Sequence, residues 1–279
     1  MSMGHFTNSA DQRSGLEVVR DWNGVAQLVL RSPKGHSARV SMHGGQVVSW
    51  KNDRGEELLF TSSKAIFKPP YAMRGGIQMC FPQFGNSGTL ERHGFARNRI
   101  WIIDDEHPPT NHNGNGSKAT VNLLLKPSED DLKCWPHCFE FRLRVSLSKD
   151  GDLSLKSRIR NVNGKPFSFS FAYHTYLSVD RVYVSSPNVI AVLDHEKKHS
   201  FVIKKDGLPD VVVWNPWEKK SKTMVDFGDE EYKQTLCVDA AAVERAITLK
   251  PGEEWTGKLE LSAVSSTNCS DHLDHPVSI

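Results

Sequence analysis

The residues best suited to chemistry fall in one stretch, Met73 to Trp101, which reads MRGGIQMCFPQFGNSGTLERHGFARNRIW. It carries Arg74, Arg92, Arg97 and Arg99, with His93 among them. Two glycine-rich turns, Arg74-Gly75-Gly76 and His93-Gly94, bracket the apolar run Cys80-Phe81-Pro82. A guanidinium offers a planar fork of donors that suits phosphate and carboxylate oxygens. An imidazole beside such a fork can donate to a substrate oxygen or shuttle a proton. Glycine lets the main chain approach where a Cβ would clash. These are the parts of a pocket for a small polar anion, built on turns between strands. A basic, solvated loop has the same composition, and composition alone leans slightly toward it.

Two more candidates stand on strands. In Pro166–Val179 (PFSFSFAYHTYLSV), Phe167, Phe169, Phe171 and Tyr173 point one way, and Ser168, Ser170, Ala172, His174 and Tyr176 point the other. The Phe face belongs in a core between sheets. The small, polar face around His174 reads as the floor of a groove, against the alternative of an exposed histidine on a solvent-facing strand. In Leu236–Val243 (LCVDAAAV), Asp239 shares a face with Cys237 and Ala241. Partial burial there would raise its pKa and make it a better base. A carboxylate paired with an arginine would leave the same signature. Glu244 follows after a break in the pattern.

The elements that must position these groups are short strands separated by turn residues. Val25–Leu30, Ser37–Trp50 with a break at Gly44-Gly45, Leu58–Phe60, Ile100–Ile103 and Thr120–Leu125 are apolar or alternating. Phe139, Phe141, Leu143, Val145 and Leu147 alternate with Glu140, Arg142, Arg144, Ser146 and Ser148, a strand apolar on one face only. Asp150-Gly151 turns it back into Leu153 and Leu155. Val182–Leu193, Ser200–Lys204, Val211–Trp214 and Trp255–Leu261 follow as strands, and Ser128–Asp131 starts one short helical turn. Many short strands with one-sided patterning predict a large, mostly antiparallel all-β sandwich. Residues 1–14 and 265–279 are expected to be polar, disordered tails around a domain at 15–264.

The 279 residues carry a formal net charge of +2, with 38% hydrophobic and 24% charged residues, an ordinary globular balance. Charge near zero argues against a general nucleic-acid binder. No apolar run is long enough to span a bilayer, and the N-terminus lacks a signal-peptide core. A cytoplasmic monomer without membrane attachment is expected. Five cysteines (Cys80, Cys134, Cys138, Cys237 and Cys269) give no disulfide framework and are expected to be reduced. Cys134 and Cys138 flank His137 in CWPHC, but no further ligands at matched spacing complete a metal site. These two cysteines read as apolar strand-edge residues. No P-loop, G-x-G-x-x-G or G-x-S-x-G motif is present.

Five ordered motifs resemble the glucose-6-phosphate 1-epimerases, hexose-6-phosphate mutarotases related to aldose 1-epimerases. They are Arg74–Ile77, Cys80–Gly85, His93–Asn98, Ala172–Leu177 and Leu249–Trp255, and the likeness extends over about residues 15 to 264. Trp214–Trp217 looks most like a plant member. The resemblance implies a galactose-mutarotase-like β-supersandwich that binds sugar on one concave sheet. It implies general acid/base ring opening and closing that interconverts the anomers of glucose 6-phosphate or related hexose 6-phosphates, with no cofactor or metal. His174 matches the family's general acid. The base is a Glu in a C-V-E segment that here reads Cys237-Val238-Asp239, one methylene shorter, with Glu244 second in rank. Arg74 and Arg97 match phosphate- and sugar-contacting positions. His93 matches a contact near the ring oxygen, and Arg92 a position usually held by Gln.

One departure is larger. After the strand ending at Val179 the family has a substantial connection with a substrate-binding Asp; here Asp180-Arg181-Val182-Tyr183 follows at once. An internal deletion is the simplest account. Together with the shorter carboxylate at Asp239, it motivates a rival class, a catalytically impaired sugar-phosphate binder. A glycosidase or lyase on the same sandwich ranks low, since the spacing of two catalytic carboxylates is not visible.

Overall fold

The computed structural model describes residues 17–105, 118–178, 188–194 and 199–265. The expected tails therefore lie outside the described residues, apart from Ser265. The junction from Val179 to Pro187 also lies outside them. In chain order, β1 (Glu17–Arg20), β2 (Ala26–Arg31), β3 (Ser37–Ser41), β4 (Val47–Lys51) and β5 (Ile77–Cys80) come first. Then follow β6 (Ile102–Ile103), β7 (Ala119–Leu125), helix α1 (Glu129–Cys134), β8 (Phe139–Leu147), β9 (Leu153–Asn161) and β10 (Phe167–Leu177). The rest is β11 (Val189–Asp194), β12 (His199–Asp206), β13 (Asp210–Trp214), helix α2 (Trp217–Ser221), β14 (Leu236–Leu249) and β15 (Glu254–Ser265).

Two sheets result. The front sheet has eight strands in the order β1-β2-β3-β4-β5-β10-β14-β13, and the back sheet seven in the order β11-β12-β15-β9-β8-β7-β6. The described ladders are antiparallel. This is the all-β sandwich that the alternating pattern predicts. The one-sided strand β8 buries Phe139, Phe141, Leu143, Val145 and Leu147 completely. The Phe face of β10 meets it from the front sheet, with Phe141 and Phe171 at 5.9 Å between ring centroids.

Phe81, directly after β5, is fully buried and packs edge-on against Phe139, Phe141 and Phe169 at 5.0, 5.4 and 5.3 Å. Burying such a ring is worth roughly 1.5–3 kcal/mol. It fixes the start of the segment that returns over the front sheet with Arg92, His93 and Arg97. Gly76 (φ 62°) lets β5 close on β4, because a Cβ there would run into the Val47 carbonyl.

Some expectations are corrected. Leu58–Phe60 makes no sheet strand; it holds only an isolated bridge from Leu59 to Leu177. Cys134 is an exposed residue at the end of α1, not at a strand edge. That helix starts at Ser128 through a capping box with Asp131. His137 packs its ring against Trp135 and Phe167. Among the described residues no helix is long and apolar enough to cross a membrane.

Candidate active site

The register of three front-sheet strands builds the site. Gln78 on β5 faces His174 on β10, which faces Asp239 on β14 through the pairs on either side, Tyr173 with Ala240 and Tyr176 with Cys237. Side chains alternate along a strand, so Gln78, His174 and Asp239 share the outer face of the front sheet. The core face takes Tyr173, Val238 and Ala240. The structure thus brings together the two strand residues singled out in the sequence.

They are directly bonded. His174 Nδ1 lies 2.7 Å from Asp239 Oδ2, and the Thr175 N–H donates to Asp239 Oδ1 at 3.1 Å. Asp239 is 0% exposed and His174 5%. The partner of the carboxylate is a histidine, in place of the arginine that the sequence left open. On the other side of the ring, His174 Nε2 lies 2.9 Å from the Tyr176 hydroxyl, which accepts from Arg74 Nη1 at 3.2 Å. Arg74 in turn grips Asp226, with Nε donating to Oδ2 at 3.0 Å and Nη2 to Oδ1 at 3.2 Å. In the neutral tautomer whose Nδ1–H donates to Asp239, Nε2 accepts from Tyr176, which accepts from Arg74. The donors all run in one direction, Arg74 to Tyr176 to His174 to Asp239. Burial pushes the Tyr176 hydroxyl pKa well up, so it keeps its proton. Burial opposes the charge of Arg74, but Tyr176 and Asp226 outweigh it and raise its pKa.

His93 stacks on His174, with ring centroids 5.3 Å apart and planes 21° from parallel. It sits at φ 67°, in the left-handed region. The following Gly94 (φ 71°) lies so close to the Phe81 carbonyl that no side chain fits. The Gly85 N–H donates to His93 Nδ1 at 3.2 Å, and Cys80 Sγ is 3.4 Å from the same atom. Burial first, then the cations Arg97 and Arg92 with His174 and Arg74, lowers the His93 pKa to about 2. The ring is therefore neutral. Arg92 Nε donates to the other ring nitrogen, Nε2, at 3.3 Å. A neutral ring has one acceptor, so Gly85 and Arg92 compete for it; when Arg92 lets go, Nδ1 accepts from Gly85 and the proton is on Nε2, toward the site.

The arginines differ. Arg97 is held by Gln78 Oε1 (2.9 Å, from Nη1) and the Arg92 carbonyl (2.7 Å, from Nη2), and its buried Nε has no partner among the described residues. Burial lowers its pKa. Arg74 is fully engaged by Asp226 and Tyr176. Arg92 is exposed, and among the described residues its terminal nitrogens have no hydrogen bond or ion pair. Arg99 belongs elsewhere: it binds Asp131 at the start of α1. Glu244 is exposed and is not brought to His174. It lies in a bulge of β14 whose N–H groups, at Val243 and Glu244, donate to Asp210 at 2.7 and 2.9 Å. Tyr176 was visible on the right face in the sequence but without a role. Gln78 and Asp226 were missed; only the alternation through Cys80 hinted at the first.

Comparison with solved structures places the architecture. A protein titled as a provisional mutarotase from Salmonella typhimurium matches with a TM-score of 0.74 at 21% identity, over 90% of this chain and 97% of that one. A galactose mutarotase-like protein from Clostridium acetobutylicum matches at 0.65 and 17% identity, over 90% and 98%. The fold is therefore galactose-mutarotase-like. The sequence matches the aldose 1-epimerase family over residues 26–181 and 177–262. It is 54% identical to a provisionally named glucose-6-phosphate 1-epimerase of Cenchrus ciliaris, over 92% of this chain and 91% of that protein. A likewise provisionally named relative in Escherichia coli is 28% identical, over 73% and 79%. The chain belongs to the aldose 1-epimerase family and is an isomerase of the mutarotase kind. The family match breaks at 177–181, where the shortened connection was expected. The Cenchrus match extends over 299 residues, more than this whole chain, so that relative has residues with no counterpart here.

Proposed function

We propose that the chain interconverts the α and β anomers of a hexose 6-phosphate, glucose 6-phosphate first among them. The observation that carries this is the His174–Asp239 pair on the outer face of the front sheet, stacked under His93 and flanked by Arg74, Arg92 and Arg97. The glucose-6-phosphate 1-epimerase names of the relatives support the substrate class. So do the arginines, because phosphate rewards charge-assisted hydrogen bonds.

The reaction consists of proton transfers and one reversible C–O cleavage with no change of oxidation state, so no cofactor or metal is required. The anomeric O1–H loses its proton, the ring oxygen gains one, and the bond between C1 and the ring oxygen breaks to give the open-chain aldehyde. Rotation about C1–C2 and the reverse steps on the other face give the other anomer. Asp239 has both oxygens occupied and no exposure, so it acts through His174: it holds Nδ1 protonated and leaves Nε2 to take up or deliver the travelling proton. When sugar enters, its oxygens replace the Tyr176 hydroxyl at Nε2. Neutral His93 donates a hydrogen bond from Nε2 to the oxygen that gains charge. Proton transfer by a positioned group is worth about 10²–10⁴-fold.

The phosphate is assigned to Arg92, whose fork is open, with Arg97 behind it. Arg74 positions Tyr176. All these groups come from one chain, so a monomer suffices. Cys80, Cys134, Cys138 and Cys237 are unpaired thiols, which suits a reducing compartment such as the cytoplasm.

The deciding experiment is NMR magnetisation exchange between the anomers of glucose 6-phosphate, with glucose as control. Accelerated exchange of the phosphorylated sugar alone is expected. A second reading, an impaired sugar-phosphate binder, is favoured by the closed position of Asp239 and the break at 177–181. It predicts stabilisation of the fold by glucose 6-phosphate with no exchange above the spontaneous rate.

A further inference from the structure

The outward face of the back sheet carries a charge arrangement that the sugar site does not use. Directly facing residues of β8, β9 and β15 form rows across it. One row, Glu140, Arg160, Glu254, sets opposite charges face to face. The next two do not. Arg142 faces Arg158, and Arg144 faces Lys156, which faces Lys258. Beyond them, Ser146, Ser154 and Glu260 end the run. Like charges directly opposite one another destabilise an antiparallel pair. A merely solvated sheet face would continue the alternation of the first row.

Some of these cations are neutralised. Arg142 donates to Asp104 at 3.1 Å and to Glu140 at 2.7 Å, and Lys258 pairs with Glu260 at 2.8 Å. Arg158 is 3.9 Å from Glu254, a loose contact. Two are left over. Among the described residues the Arg144 side chain donates only to a neutral oxygen, Asn122 Oδ1, at 2.9 Å. Among the described residues the Lys156 side chain has no hydrogen bond or ion pair. Both are exposed. A small pocket of about 60 Å³ opens between them, walled also by Asn122, Arg142 and Arg158. The one carboxylate in its wall, Asp104, is buried and bound to Arg142.

We infer that this pocket is a second anion site, for a phosphate dianion, either free phosphate or the phosphate group of a small metabolite. Two uncompensated cations match its charge. The forks of Arg144 and Arg158, on either side of Lys156, supply the paired donors that a tetrahedral oxyanion accepts. The positive surplus is confined to two rows and hollowed into a pocket, which fits a compact ligand better than an extended acidic peptide. The site lies on the opposite outer face from His174, with the core between, and does not depend on the sugar reading.

Amide NMR titration of the whole chain tests it, with inorganic phosphate and glucose 6-phosphate added separately. Saturable shifts are expected at the amides of Leu143, Arg144 and Ser157. The exposed double variant Arg144→Gln/Lys156→Gln is expected to weaken this binding at least about tenfold, the loss of one or more charge-assisted bonds, with anomer exchange unchanged. Tighter binding of the sugar phosphate would support the site and name a metabolite as its source; equal binding would support it and name free phosphate. No saturating shift up to about 10 mM, where a site of Kd ~1 mM would be nearly full, would overturn it. So would shifts that persist in a folded double variant, or shifts produced by polyglutamate and not by phosphate.

Discussion

Asp239 and His174 face each other across the β10–β14 ladder, and their side chains meet at 2.7 Å on the sheet's outer face. The pairing is a consequence of register, so it is as rigid as the sheet. It also sets what the carboxylate does: a fully buried Asp with both oxygens engaged acts through the imidazole it holds.

His174→Ala is expected to lower anomer exchange by about 10²–10⁴-fold while the protein remains folded. Magnetisation exchange together with circular dichroism decides it; exchange retained at the wild-type rate would remove His174 from the proton path.

Substitutions at Asp239 separate direct from indirect action. Asp239→Asn is expected to cost about 10²-fold or more in exchange, since the amide cannot fix Nδ1 as a charged acceptor does. Asp239→Glu adds a methylene at a position with no exposure, where overpacking costs about 1–3 kcal/mol, and it breaks the 2.7 Å contact. Its exchange rate is expected to fall. A faster Glu variant would mean that the carboxylate itself reaches the sugar.

Tyr176→Phe keeps the ring in its small cluster with Phe60, Phe227 and Cys237 but removes the hydroxyl between His174 and Arg74. A loss of about tenfold in kcat and an altered pH profile are expected, with KM little changed. A change in KM alone would assign Tyr176 to binding only.

Arg92→Ala and Arg97→Ala are expected to weaken glucose 6-phosphate by about 10–100-fold each, from a charge-assisted bond worth roughly 1.5–3 kcal/mol. Isothermal titration against glucose is the control. Equal affinity of wild type and Arg92→Ala would move the phosphate to another cation.

The buried histidines predict a pH dependence of stability. The pKa values of His93 and His43 are lowered in the fold, in each case chiefly by burial. The unfolded chain binds protons there near pH 6.5 and the folded chain does not. Their contribution is thus complete above about pH 6.5 and shrinks as pH falls toward the folded value, about 2 for His93. The slope is up to about 1.4 kcal/mol per pH unit for each group. His93→Asn, which tolerates the left-handed backbone, should flatten the decline in denaturation midpoints between pH 6.5 and 5. An unchanged slope would show that His93 protonates without unfolding.

Much of this was legible in the sequence, and what was not has physical causes. One-sided alternation in β8 and β10 gives the sandwich and the face of His174, because a strand with one buried face must alternate. The partner of Asp239 was not legible. Alternation names a face, while contact depends on register between strands 65 positions apart. Asp226 was hidden for a similar reason, as a loop residue whose only link to Arg74 is the folded chain. The like-charge rows on the back sheet are invisible until β8, β9 and β15 are aligned.

The bulge in β14 has a consequence for how that strand tolerates change. The step from Phe171 to Phe169 on β10 is matched by the step from Ala242 to Ile247 on β14, three extra residues. Because that number is odd, the phase of the strand flips: Val238, Ala240 and Ala242 point into the core before the bulge, Ile247 and Leu249 after it. The bulge behaves like a compensated frameshift. Insertion or loss of one residue among Val243–Arg245 would leave Asp239 in frame with His174 and turn Ile247 and Leu249 toward water. Damage there would reach the protein as lost stability, with the chemistry of the surviving folded molecules intact.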